Sequence, residues 1–90
     1  MNREEIRMEI DDVDELLTGL FARRMRAARD MAIYKKEHGL PVRDEKREAE
    51  KLNEVSAMVP EELRGHVKRL YETIFAISRE YQEALMKDMV

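Results

Sequence analysis

The 90-residue chain has no cysteine and no tryptophan, and only three glycines and two prolines. Without cysteine there is no disulfide framework, no thiolate nucleophile and no thiolate-bound metal, which suits a reducing compartment. So few glycines and prolines leave few places to turn, against the many short strands of a sandwich or barrel. Nor is there an apolar run of the roughly 20 residues that a bilayer span needs. The opening Met1 to Glu5 has none of the apolar core of a secretion signal. These absences point to a cytoplasmic protein without a membrane partner. Charge of one sign is missing too. With 17 basic against 20 acidic residues the net charge is −3, so nothing draws the whole chain to nucleic acid, and any affinity for anions must be local.

What is abundant is helix-forming: Leu, Ala, Met, Glu, Lys and Arg dominate, and the composition is that of an all-α protein. Residues 1–90 make a single domain, and a chain this short builds a thin core when it folds alone. The spacing of apolar residues predicts three helices, at residues 3–38, 45–57 and 60–87. The first runs unbroken until Gly39 and Pro41 stop it. At 1.5 Å per residue it is a rod of roughly 54 Å, whereas a compact chain of this length is about 30–35 Å across. Half of the rod must project, and its apolar stripe of Ile6, Ile10, Val13, Leu17 and Leu20 continues through that half. Two copies with antiparallel first helices cover each other's stripe. The expected architecture is therefore a long, a short and a long helix per chain in an intertwined homodimeric bundle.

Two cations are set into the stripe. At about 100° per residue, Arg24 and Lys35 fall on the side of Ala28 and Met31, while Arg23, Arg26 and Arg29 rotate into solvent. A cation taken out of water is costly unless paired, so Arg24 and Lys35 need internal carboxylates or an anionic ligand. They stand about 16 Å apart along the axis, a span that their long side chains close from opposite ends onto one small dianion. Arg7 lies on the edge of the same stripe but about 26 Å from Arg24, so it reaches such a ligand only from the second chain of an antiparallel pair.

The second helix has Asp44 as its N-cap candidate, with Glu48 on the inner face one turn before Leu52 and Arg47 beside it. Free N–H groups at that helix start can also dock an oxygen. The third helix presents Leu63, Val67, Leu70, Ile74, Ile77, Tyr81 and Leu85 as its apolar face, with Ser78 inside the arc and Gln82 at its edge. Taken singly, these polar residues read as ordinary capping, solvated or self-bonded side chains. His38, at a helix end, and His66, with Leu63 three residues before it, lack a metal-binding pattern. The cations between Phe21 and Arg29 wrap the helix instead of forming the one-sided stripe that nucleic-acid binding needs.

Together, Arg7, Arg24, Lys35, the run Pro41-Val42-Arg43-Asp44, then Arg47-Glu48, Ser78 and Gln82 resemble the helical, AroQ-type class of chorismate mutases over essentially the whole chain. The resemblance implies a homodimer with two shared active sites and an isomerase, an intramolecular transferase. It would convert chorismate to prephenate by a Claisen rearrangement in the shikimate pathway to phenylalanine and tyrosine, without cofactor or metal. It also implies roles. Arg24, and Arg7 of the partner chain, would bind the substrate carboxylates, with Arg47 adding positive charge and fixing the site's acids and Ser78 assisting at the ring carboxylate. Glu48 and the Asp44 backbone would hold the ring hydroxyl, and Lys35 and Gln82 would donate to the ether oxygen. The alternative is a catalytically inactive helical dimerisation module, or one that binds a small dicarboxylate, on the same fold.

Overall fold

Asn2 opens the first helix: its side-chain oxygen accepts from the Glu5 N–H at 2.9 Å, and Glu4 and Glu5 lie at the positive end of the helix dipole. In the computed structural model, which describes residues 1–89, this helix, α1, runs from Arg3 to His38. It stops at Gly39, whose φ of 63° is the left-handed conformation that a side chain would strain. There the Gly39 N–H bonds the Lys36 carbonyl and the Leu40 N–H bonds the Lys35 carbonyl at 2.8 Å. This Schellman closure turns the chain back directly after Lys35. Asp44 then caps α2 (Glu45–Ser56), accepting from the Arg47 N–H at 3.0 Å.

Three boundaries differ from expectation, the end of the third helix by a single residue, Asp88 instead of Lys87. Ala57 is still right-handed but serves as the C-cap of α2, one residue inside the expected end. The third helix does not begin at residue 60. A 3-10 turn at Glu61–Leu63 comes first, with the Leu63 N–H on the Pro60 carbonyl at 2.9 Å, and α3 follows over Arg64–Asp88. No capping side chain bonds the α3 start, and Gly65 weakens its first turn, so the tighter turn takes up part of the capping.

α3 is the hub, with α1 and α2 both packed against it. The buried core is small: Ala28, Ala32, Val55 and Phe75, with the polar Ser78 and Gln82. α3 is also rotated from its expected setting. On one side of its expected apolar face Leu70 and Ile77, with Leu63 just before the helix, are 50%, 38% and 45% exposed, and Val67, Ile74, Tyr81 and Leu85 are half-buried, whereas Phe75 and Gln82 are 7% and 6% exposed. By the 100° count this is a turn of about 80°. Among the described residues α3 is most deeply covered on the Phe75–Ser78–Gln82 side, and the apolar face is left partly uncovered.

The first half of α1 is exposed along its whole length. Ile6, Ile10, Val13, Leu17 and Leu20 are 46–58% exposed, and the chain measures 54 × 26 × 14 Å with a radius of gyration of 16.3 Å. A compact 90-residue chain has a radius near 12 Å. The accessible surface, 7336 Å², exceeds by about 1,800 Å² what a compact protein of this mass exposes. Among the described residues no helix is long and apolar enough to cross a membrane.

Candidate active site

The closure after Lys35 fixes the geometry of the site. Because the chain doubles back at Gly39, the Val42 carbonyl comes within 2.5 Å of Lys35 Nζ, which also donates to Gln82 Oε1 on α3 at 3.1 Å. Gln82 Nε2 in turn donates to Ser78 Oγ, one turn earlier, at 3.0 Å. A single row of hydrogen bonds thus joins the connector, α1 and α3. An ammonium has three donors and an amide nitrogen two, so Lys35 and Gln82 each keep one for a ligand. Burial lowers the Lys35 pKa from the ordinary 10.5, against the opposite pull of the Asp44 and Glu48 carboxylates.

The charges on α2 sort themselves by side. Glu48 turns in to α3, where Arg79 NH1 contacts both carboxylate oxygens at 2.7 and 2.6 Å. Arg47 was expected to fix the site's acids, yet only its backbone N–H does so, on Asp44. Its guanidinium lies 3.7 Å from Glu54, which Lys51 also bonds at 2.7 Å. The reason is helical spacing: positions 47, 51 and 54 share one face of α2, so Glu54 is within reach of both cations.

These side chains surround a cavity of about 460 Å³ with an apolar floor that includes Ala28, Met31 and Phe75. Five cations line it, Arg24, Lys35, Arg47, Lys51 and Arg79, against two carboxylates, Asp44 and Glu48. A chain with an overall negative charge has therefore gathered a positive surplus in one place. Arg24 is the most available of the five. Its guanidinium carbon sits 5.9 Å and 5.8 Å from the ring centres of Tyr71 and Phe75, a cation–π seat that leaves its donors free. Among the described residues neither Arg24 nor Lys35 forms an ion pair.

Arg24, Lys35, Asp44, Arg47, Glu48, Ser78 and Gln82 all line this one cavity. Arg7 does not. It stands exposed on the projecting half of α1, 3.7 Å from Glu4. Two charged lining residues, Lys51 and Arg79, and the aromatic Phe75 have no place among the residues the sequence singles out. Arg79 carries a signal, since it follows Phe75 by four and precedes Gln82 by three, but that signal can be read only once Phe75 is known to face inward. His38 and His66 are exposed, and among the described residues no group of three or more acidic or histidine side chains converges to hold a metal ion.

Fold and cavity together define an all-helical protein with a cation-rich pocket between its helices. The family model for chorismate mutase type II matches residues 6–83, and the chain belongs to that family. Neither the comparison with curated proteins nor that with solved structures found a match.

Proposed function

We propose that the chain is an isomerase that rearranges chorismate to prephenate, without a cofactor, on the route to phenylalanine and tyrosine. The observation that carries this reading is that Arg24 and Lys35 both face the cavity without a carboxylate partner among the described residues. A dianionic substrate would supply the missing charge. The reaction breaks one C–O bond and forms one C–C bond in a single cyclic movement of electrons, so no nucleophile or proton transfer is required of the protein.

In this reading Arg24, and Arg7 of a second copy, bind the two carboxylates, with Arg47 adding positive charge and Ser78 assisting at the ring carboxylate. Glu48 and the Asp44 backbone hold the ring hydroxyl. Clamping both carboxylates folds the enolpyruvyl arm over the ring into a near-attack geometry. Lys35 and Gln82 donate their remaining hydrogens to the ether oxygen, where negative charge grows as the bond breaks; preset donors of this kind lower the barrier by stabilising the transition state more than the substrate. The site is completed by an antiparallel homodimer. Its support is the exposed stripe from Ile6 to Leu20 and the surplus surface of about 1,800 Å² per chain, enough for a large obligate interface.

The direct test is the loss of chorismate's ultraviolet absorbance on adding purified protein. Consumption well above the spontaneous rate is expected; a folded helical dimer without it would favour the inactive or dicarboxylate-binding module.

Lys35 also predicts a pH profile. Its lowered pKa means that the charged donor is lost below the ordinary lysine value as pH rises, so kcat/KM falls on an alkaline limb below pH 10.5. A bound dianion favours the ammonium, so the limb in kcat lies at higher pH than that in kcat/KM. Two coincident limbs would separate Lys35 from the bound substrate. The stability effect has the opposite sign: between the folded and unfolded Lys35 pKa values the unfolded chain binds more protons, and this group's contribution to stability rises with pH.

Gln82→Glu tests the second donor. An ionised carboxyl repels the ether oxygen, and Lys35, within 3.1 Å of Gln82 Oε1, keeps the new carboxyl ionised to low pH. Activity near neutrality is expected to fall by about 10²–10³-fold, the usual effect of losing one such donor, and to recover as pH is lowered. A profile like that of the wild type would show that Gln82 does not donate to the reacting oxygen.

A further inference from the structure

Among the described residues the Arg79–Glu48 pair is the shortest ion pair, and the proposed reaction makes no use of Arg79. One guanidinium nitrogen straddles both Glu48 oxygens at 2.7 and 2.6 Å, and the two side chains are only 25% and 19% exposed. An ionised carboxylate has about four acceptor positions. A single straddling donor occupies the edge that faces α3 and leaves the others open to the cavity. The nearby arginines do not substitute for it. Arg47 is engaged with Glu54 at 3.7 Å, and Arg43 Nε comes no closer to Glu48 than 3.9 Å, from an exposed side chain. Lys35, on α1 and lining the same cavity, feels the Glu48 charge, so a loosened carboxylate would be drawn to Lys35 and would occupy its free donor.

We propose that Arg79 is a positioning residue that holds the Glu48 carboxylate against α3, where it can accept the substrate's ring hydroxyl and stays off Lys35. The proposal rests on the chorismate reading and on Glu48 as the hydroxyl acceptor.

The experiment is a comparison of two substrates across four variants. Arg79→Met, Arg79→Lys, Glu48→Gln and the double Arg79→Met/Glu48→Gln chain are assayed on chorismate and on an analogue with hydrogen in place of the ring hydroxyl. Their folding is checked by circular dichroism melting. Arg79→Met is expected to lose roughly 10- to 100-fold in kcat/KM on chorismate, the range for a hydrogen bond to a charged group, and much less on the analogue. Adding it to Glu48→Gln should cost nothing more, because the group it positions is already gone. Arg79→Lys, which keeps a charged donor, should recover most of the loss. Equal losses on both substrates, or additive losses in the double variant, would show that Arg79 only supports the fold. If Arg79→Met does not fold, Arg79→Gln replaces it in the same comparison. A wild type that consumes neither substrate would remove the chorismate reading and this proposal together, and is thereby distinguished from failure of the Arg79 role alone.

Discussion

Replacing Lys35 by alanine is expected to lower kcat on chorismate by about 10³-fold, at the upper end of the range for a lost oxyanion-type donor because this donor carries full charge. The rest of the site should stay in place. Lys35 Nζ is held by two neutral acceptors, the Val42 carbonyl and Gln82 Oε1, so its removal leaves no buried carboxylate unpaired. The stability cost is that of two amide oxygens left without their donor, about 1–3 kcal/mol each where they stay dry, which water entering the vacated space reduces. Loss of kcat in a chain that stays folded, with a lowered melting temperature of several degrees per kcal/mol lost, is the expected combination, and Lys35→Met should behave alike, since it fills the space but cannot donate. Turnover near the wild-type rate in either variant would remove Lys35 from the mechanism. A loss confined to KM would recast it as a residue that binds substrate and transition state equally.

The parts of this site that could be read from the sequence are those governed by one helix at a time. Arg24 and Lys35 were legible because α1 is an uninterrupted rod, so the 100° rotation carries without error from the apolar stripe to the cations. Asp44 and Glu48 were legible because helix starts have their own chemistry: Asp44 caps, and Glu48 follows one turn later. Arg79 was not, because its inward position depends on the rotation of α3 against two neighbours. The most regular apolar pattern on α3, through Leu63, Leu70 and Ile77, stays partly exposed in the single chain, and the face that packs is marked instead by one phenylalanine and two polar residues. Hydrophobic periodicity reports everything a helix will bury, and it does not say which surface buries it. The partner of the Arg47 guanidinium is set by a related competition. Its backbone belongs to the cap and its side chain to the next turn, where Glu54 competes for it.

The second large effect is expected from mixing two inactive variants. Arg7 and Arg24 are about 26 Å apart along one helix, and in the single chain Arg7 stays outside the cavity beside Glu4. If each site takes Arg24 from one copy and Arg7 from the other, then Arg7→Ala and Arg24→Ala homodimers each lose one carboxylate clamp in both sites. Removing such a charged contact typically costs about 2–5 kcal/mol, roughly 30- to several-thousand-fold in kcat/KM. Equal mixing with full exchange makes half of the dimers hybrids, and a hybrid carries both defects in one site and neither in the other. About a quarter of all sites are then intact, so the mixture should recover about a quarter of wild-type activity from two nearly inactive parents. Exchange is verified independently with a size or affinity label on one variant. Recovery to that level would establish both the dimer and the shared site, because no arrangement that keeps Arg7 and Arg24 of one chain in the same site yields an intact site from these parents. Hybrids that form and stay inactive would mean that the two arginines of one chain serve the same site; an Arg7→Ala homodimer that keeps wild-type activity would mean that Arg7 belongs to the surface, and the clamp on the second carboxylate would then have to come from Arg47 or Lys51, the two lining cations drawn toward Glu54.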